Sequence, residues 1–237
     1  RAAATREAWP KTAELAAAEA VQAAAADGQF VYAIASAQVA KYDRATGRRI
    51  ATSTGKARHL NSGFLWKGKL LCAHSNYPQT PERSEIKVLD PGSMKLSTFR
   101  DFGSAGGSLT WVVRHDDHWW CNFARYGDKN AETFLVEFDS NWRQKRRWTY
   151  PKSVIGQLGR FSLSGGLWYA TKSDPKKWIL SRTINHRSVP YSEKSCHLLD
   201  AESDIRRESD IQKCEKMDGM RTFLMSRPSR RIQQPTL

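Results

Sequence analysis

The chain has 237 residues, enough for one large domain or two small ones, and its nine Trp residues can fill a sizeable core. No apolar run approaches the ~20 residues of a membrane helix, so we expect no membrane span. The net charge of +14 includes basic clusters at 143–147 and 227–231. A solvated basic surface explains them, and nucleic acid is not expected as a partner because stacking aromatics are not interleaved with the basic residues.

The cysteines and the first residues give information on metal binding and on the cellular compartment of the protein. The four cysteines form no CxxC pair and have no metal-ligand spacing, so structural zinc is not expected, while a disulfide stays open. The chain begins with Arg1 and three alanines, which resemble the small-residue end of a signal peptide, although the charged and apolar regions of such a signal are absent. The sequence predicts an exported, monomeric protein, periplasmic or extracellular.

The first segment with a pattern, residues 13–26, is rich in alanine and raises a choice between helix and strand. Propensity alone favours a helix, because alanine is the best helix former. Comparison with a later segment favours a strand, because the turn at Asp27 corresponds to the turn at Lys67 and "FVYAIA" corresponds to "LLCAHS". We therefore predict a strand over residues 20–26 and confine any helix to residues 11–19.

A repeat follows, marked by Asp43, Asp90 and Asp139 at periods of 47 and 49 residues. Each Asp ends a short β-rich stretch and opens a turn of Gly, Pro, Asn or Ser, because Asp can bond the turn amides. One unit reads as four short strands, which is typical of a β-propeller blade. Cys72 and Cys121 fall at the same place in consecutive units, which favours a buried packing role for both over a reactive thiol.

A fourth copy starts with "SGGLW" at 164–168, where the first strand leads directly into the second without the expected turn. From Lys176 onward the Asp repeat is absent. The sequence thus predicts an all-β fold, a β-propeller of four-stranded blades that is incomplete, with about four recognisable blades. We divide the chain into an N-terminal extension over 1–19, blades over 20–175 and an irregular C-terminal tail over 176–237.

Two loops of equal length indicate where a ligand would bind. The spacing is 18 residues from Cys72 to Asp90 and from Cys121 to Asp139, whereas the matching spacing in the first unit is 11. These longer loops would lie on one face of a propeller, at the mouth of the channel, where concave sites form.

This face would gather polar residues suited to binding a carboxylate and moving a proton. Histidine titrates near neutrality and Arg binds carboxylates, so these types are the first choice for acid/base chemistry on an acidic substrate. The predicted catalytic residues are His74, His59 and Arg125. The predicted substrate-binding residues are Asn61, Asn76, Tyr77, Tyr126 and Arg160, with Asp128 and Lys129 nearby. The alternative for each is structural, since polar residues at strand ends also satisfy backbone groups and bridge blades.

No metal or cofactor is predicted. The motif "HDDH" at 115–118 has the residue types of a metal site, but it falls in the turn on the opposite face, where adjacent side chains point apart. No G-x-S-x-G motif and no phosphate-binding glycine loop is present.

The motifs "HLNSGFLWKGKLLCAHSNYP", "GGSLTW", "WWCNFARYGDKNAETFLVEFD" and "QLGRFSLSGG" resemble those of bacterial exported β-propeller proteins labelled cycloisomerases, over residues 8–171. More distantly, "GGSLTW" is similar to the blade starts of glutaminyl cyclases, which are five-bladed propellers. The resemblance implies an intramolecular ring closure or opening by general acid/base catalysis, without a nucleotide. Ser108 stands where the glutaminyl cyclase family has an acidic residue.

Two functions follow as hypotheses. One is an enzyme of the cycloisomerase or cyclase type that acts on a small molecule at the loop-rich face. The alternative is a non-catalytic propeller that serves as a binding or scaffold module for a small molecule or a protein partner. A deep pocket with converging polar groups would favour the enzyme, and a flat face would favour the scaffold.

Overall fold

The computed structural model describes residues 11–158, 161–169, 177–181, 197–200 and 222–226, which form an all-β structure with few helical turns. The strands are β1 (Lys11–Ala16), β2 (Ala23–Ala26), β3 (Phe30–Ile34), β4 (Val39–Asp43), β5 (Arg49–Thr52), β6 (His59–Trp66), β7 (Lys69–Ser75), β8 (Ser84–Asp90), β9 (Lys95–Gly103), β10 (Ser108–His115), β11 (His118–Ala124), β12 (Phe134–Phe138), β13 (Gln144–Thr149), β14 (Gly165–Tyr169), β15 (Lys177–Ser181), β16 (His197–Asp200) and β17 (Thr222–Ser226). The helical elements are a short 3₁₀ helix (Gly127–Glu132) and α1 (Lys152–Leu158).

Three antiparallel four-stranded sheets follow one another along the chain, each built from strands in sequence order. The first sheet contains β2 to β5, the second β6 to β9 and the third β10 to β13; β14 to β16 form a three-stranded fourth sheet. Every hydrogen-bonded neighbour within these sheets is also a neighbour in sequence, so hairpin turns set the order of the strands. The predicted repeat of four-stranded units is confirmed.

The alanine-rich segment contains a strand, but a shorter one than predicted. β2 covers Ala23–Ala26 and pairs with β3, while residues 18–21 form a turn. The preceding segment, where only a helix was considered, forms β1, which runs parallel to β17. Leu15 of β1 is buried against Val31 of the first sheet. Strand pairing and burial therefore override the helix propensity of the alanines.

The repeated Asp residues open hairpin turns, as predicted. The Asp43 carboxylate accepts a hydrogen bond from the backbone N–H of Thr46 at 2.7 Å. Asp90 accepts from the N–H groups of Gly92 at 3.0 Å and Ser93 at 2.9 Å. Asp139 accepts two, from the N–H groups of Asn141 and Arg143, both at 2.9 Å. In each turn the carboxylate satisfies amides that have no partner in the strands.

The turns between the first and second strands of the second and third sheets use left-handed backbone. Lys67 and Gly68 have φ values of +49° and +72°, and Asp116 and Asp117 have +46° and +61°. Such two-residue turns match the twist of the strands they join. "HDDH" thus forms a hairpin turn, with both of its Asp side chains highly exposed.

Sheets that follow each other in sequence pack on each other through their first strands: β6 contacts β2 and β10, and β10 contacts β14. One core lies between the first and second sheets and contains Cys72; the next lies between the second and third sheets and contains Cys121. Both cysteines are free and fully buried. Burial raises the pKa of Cys72 to about 12, which fits the predicted packing role.

Between the third and fourth sheets, the chain forms a helix that the sequence analysis did not predict. Residues Lys152–Leu158 form α1, in which Val154 and Leu158 lie one helical turn apart and are buried against Trp111. A helix of seven residues has too few apolar positions for its amphipathic pattern to be recognised in the sequence. The helix is stable because its apolar side covers a third core, the one around Trp111.

The fourth sheet and the C-terminal strands also refine the sequence-based picture. β14 pairs with β15, which starts at Lys177, so the first strand does not continue directly into the second. β15, β16 and β17 lie within the segment 176–237 that was expected to be irregular; the rest of that segment lies outside the described residues. Among the described helices, none has the length and apolar character to cross a bilayer.

Candidate functional site

The loop face is defined by the starts of β6 and β10, the ends of β7 and β11, and the loops 76–83, 104–107 and 125–133. Antiparallel pairing brings these chain ends to one edge of the second and third sheets. The loop between the second and third strands is long in these two sheets, while residues 35–38 suffice in the first. The loop face therefore carries the two equal loops recognised in the sequence.

An aromatic row crosses the loop face. The ring of Tyr77 lies between that of His59, at a centroid distance of 5.3 Å, and that of Tyr126, at 4.9 Å. Tyr77 is 43% exposed, which is unusual for so large a ring. Tyr77 comes from the loop after β7 and Tyr126 from the loop after β11, so the row joins the second and third sheets. A ring-shaped molecule could stack on Tyr77 without moving its neighbours.

Burial sets the protonation of His59 and Tyr126. It lowers the pKa of His59 below its ordinary value of 6.5, so the imidazole is neutral at pH 7. Burial also raises the pKa of Tyr126, with further contributions from Tyr77 and the carboxylate of Glu82, so its hydroxyl keeps its proton. Within the described residues, no hydrogen bond to the His59 ring is present, and the row offers a neutral imidazole and two phenol groups.

His74 lies behind the row, with protein groups beside both of its ring nitrogens. The backbone N–H of Arg58 donates to Nε2 at 3.0 Å, and Nδ1 lies 3.1 Å from the Glu85 carboxylate, with poor alignment for a hydrogen bond. Lys87 Nζ lies 2.7 Å from the same Glu85 oxygen. The imidazole is only 8% exposed; burial, followed by the Lys87 charge, lowers its pKa to about 4. His74 thus anchors the chain ahead of β6 as a neutral acceptor.

Arg125 joins the second and third sheets at the loop face. Its Nη1 donates to the Gly106 carbonyl at 2.9 Å and lies 3.4 Å from Glu82, while Nη2 lies 3.4 Å from Glu132. Two carboxylates of the protein already share this guanidinium. A substrate carboxylate would have to compete with them.

Four more of the predicted residues lie on the loop face with distinct surroundings. Asn61 is buried and donates to the Leu109 carbonyl at 3.0 Å, which bridges the second and third sheets. Asn76 donates to the Pro81 carbonyl and accepts from the Arg83 backbone N–H, so it shapes its own loop. Asp128 and Lys129 are exposed on the 3₁₀ helix. Arg160 lies outside the described residues.

Three partners of the site were missed in the sequence: Glu82, Glu85 and Lys87. Glu85 is the register partner of His74, and Lys87 follows it two residues later, on the same face of β8. Because side chains alternate between the two faces of a strand, Glu85 and Lys87 lie on the same face. Both could have been placed beside His74 once the pairing of β7 with β8 was known. The contact of Glu82 with Arg125 carries no comparable signal, because it joins two loops. Among the described residues, no cluster of three or more His, Cys, Asp and Glu has the geometry of a metal site.

No protein-family model matches the chain, and no curated protein matches it in sequence. Solved structures do match in fold. A hydrazine synthase chain of Kuenenia stuttgartiensis is similar at 14% sequence identity with a TM-score of 0.50, over 76% of this chain and 51% of that one. The computationally designed Ika4 protein matches at 8% identity with a TM-score of 0.40, over 81% of this chain and 95% of the other.

The chain thus spans about half the length of the hydrazine synthase chain, and at this identity the likeness concerns the fold alone. Fold and comparison together define the class: an all-β chain of repeated antiparallel four-stranded sheets.

Proposed function

We propose that the chain is a β-propeller-type binding module whose loop face holds a small ring-shaped molecule on the aromatic row. The repeated four-stranded sheets and their packing through first strands support blades arranged around an axis. The observation that carries the binding function is the exposed Tyr77 ring, held between His59 and Tyr126. Since both neighbours are partly buried, the row is ordered before a ligand arrives, which reduces the entropic cost of binding.

Binding fits the geometry better than catalysis by His74 and Arg125, two of the three residues that were predicted to be catalytic. His74 and Arg125 are engaged by protein groups, so neither is free to exchange protons or ion pairs with a ligand. His59 and Tyr77 belong to the row itself, and they can offer a ligand a stacking contact and a hydrogen bond.

The test is a ligand-observed NMR screen of the full chain with a library of small ring compounds, sugars and aromatic heterocycles included. Compounds that bind the row are expected to lose their saturation-transfer signal with Tyr77→Ala, because the exposed ring is the stacking surface. Ile50→Ala, which removes another exposed apolar side chain on the outer strand of the first sheet, is the matched control and should keep the signal. A library without hits, or one in which no hit loses its signal with Tyr77→Ala, would contradict the proposal.

A second candidate function, cycloisomerase or cyclase chemistry, rests on His59. Its neutral imidazole can take a proton from a ring compound stacked on Tyr77 and return it at another atom, as general acid/base catalysis requires. Each compound that binds in the screen is incubated with the chain and followed by NMR for a ring-opened or ring-closed isomer. Conversion by the wild-type chain that is lost in His59→Gln, with binding retained, would support this candidate; binding without conversion would exclude it.

Export of the chain stays a prediction, testable by cell fractionation.

A further inference from the structure

A groove lies at the edge of the second sheet opposite the loop face, away from the aromatic row. It encloses about 390 Å³, near the lower end of volumes that bind small molecules. Its floor is formed by Leu71 and Val88, which are register partners on β7 and β8. Trp66 and Phe99 stand at its sides. We refer to this feature as the basic groove, because of the charges on its rim.

The aromatic side of the basic groove is accessible. Phe99 is 38% exposed although it is a large apolar side chain. Its position is fixed by ring contacts with Trp66 at 6.2 Å, Trp119 at 5.6 Å and Trp142 at 6.1 Å between centroids. An ordered and exposed ring of this kind is suited to contact with a flat apolar body.

The rim carries more positive than negative charge. Lys67, Lys69 and Lys95 line the groove together with a single carboxylate, that of Asp90. Lys69 Nζ lies 2.7 Å from Asp90, and this hydrogen bond lowers the pKa of the Asp90 carboxyl. One carboxylate neutralises one of the three ammonium groups. Lys67 Nζ lies 4.8 Å from the centre of the Trp66 ring, so its charge is held beside the aromatic wall.

We propose that the basic groove binds a small aromatic anion, a flat ring that bears a carboxylate, sulfonate or phosphate group. The ring would pack on Phe99 and Trp66 over the floor of Leu71, and the anionic group would lie between Lys67 and Lys95. This site is separate from the aromatic row and does not depend on the function proposed for the loop face. It also gives a specific role to part of the excess positive charge of the chain.

The probe is 2-naphthoate, titrated into the full chain by isothermal calorimetry and ligand-observed NMR, with neutral 2-naphthalenemethanol as its uncharged counterpart. The double variant Lys67→Gln/Lys95→Gln is expected to raise the Kd for naphthoate about fivefold, since two ammonium charges beside the anionic group are removed. Lys145→Gln/Lys152→Gln removes the same charge from exposed positions elsewhere and should change the Kd by less than about twofold. The neutral alcohol should bind more weakly than naphthoate.

Two further variants separate this site from the aromatic row. Phe99→Leu keeps an apolar side chain but removes the ring, and it should weaken naphthoate binding; Tyr77→Ala should leave it unchanged. Circular dichroism melting of each variant checks that the fold is intact. The proposal is overturned if naphthoate does not bind or if both lysine double variants raise its Kd equally. It is also overturned if the neutral alcohol binds as tightly as naphthoate. Loss of binding in Tyr77→Ala alone would assign naphthoate to the loop face and overturn the groove site.

Discussion

At the scale of single residues, the environment gives the two histidines of the loop face different properties. His59 and His74 are close in space, and burial lowers the pKa of both. The ring nitrogens of His74 meet the backbone of Arg58 and the Glu85 carboxylate, whereas the His59 ring meets the aromatic face of Tyr77. The same residue type therefore serves as a structural anchor in one place and as an available proton acceptor in the other.

The pH dependence of stability tests the anchoring role of His74. Its pKa is about 4 in the folded chain and 6.5 as an ordinary value, so between these pH values the unfolded chain binds more protons than the folded one. The free energy of unfolding should therefore fall as the pH falls, by about 2 kcal/mol from pH 7 to pH 5 through this group alone.

The measurement is urea unfolding at both pH values for the wild-type chain and for His74→Gln. Gln can still accept from the Arg58 N–H but does not titrate, so the variant should lose less stability on acidification by about that amount. An equal loss in both proteins would show that His74 is not the group responsible.

At the scale of the element, a carboxylate at the end of a strand holds each hairpin. Asp139 follows β12 and satisfies two backbone N–H groups in the turn before β13. The carboxylate of Asp90 does the same after β8, and that of Asp43 accepts from the backbone N–H and the hydroxyl of Thr46 after β4. Because the turn decides which strands pair, these short-range hydrogen bonds fix the register of the outer strand in each sheet.

Asp139→Ala should lower the free energy of unfolding measurably, and by more than the control variant below, since two turn amides lose their acceptor. Ser140→Ala, one residue later on the exposed side of the same turn, is the matched control and should stay within about 0.5 kcal/mol of the wild-type value. Urea unfolding at pH 7 measures both. Equal stability of Asp139→Ala and Ser140→Ala would show that the carboxylate does not stabilise the turn.

At the scale of the whole molecule, close contact between first strands joins one sheet to the next. Gly63 of β6 lies against Ile34 of the first sheet, and Gly166 of β14 lies against the ring of Trp111 on β10. Asn61 adds a hydrogen bond to the Leu109 carbonyl between the second and third sheets. Small residues and buried amides at these positions allow the sheets to approach, so the loop face is shared by neighbouring sheets.

Gly166→Ala tests this packing. A Cβ atom at position 166 would lie 2.7 Å from three atoms of the Trp111 ring, which is itself fully buried and cannot move away freely. Overpacking of this kind should lower the free energy of unfolding by about 1 to 3 kcal/mol. Gly156→Ala in α1 meets no atom within 4 Å and should be neutral or stabilising. Thermal melting compares the two variants, and a Gly166→Ala protein as stable as the wild type would contradict the close contact.

Much of the fold was predictable because its signals are local. The repeat of Asp residues, the turn chemistry after Asp43 and the burial of Cys72 and Cys121 all depend on short spacings along the chain. The site was predicted only in its outline. His59, Tyr77 and Tyr126 were correctly assigned to one face, but the engagement of His74 by Glu85 and of Arg125 by Glu82 depends on strand register and loop packing, which neighbouring residues do not specify.

The sequence by itself determined the repeated four-stranded unit, the position of its turns and the face that carries the long loops. Only the tertiary structure decided that residues 11–16 form a strand, that residues 152–158 form a helix, and which histidine faces outward. The physical reason is the range of the interactions. Turn hydrogen bonds act over a few residues, whereas the pairing of β1 with β17, the burial of Val154 and the contacts of His74 bring distant segments together.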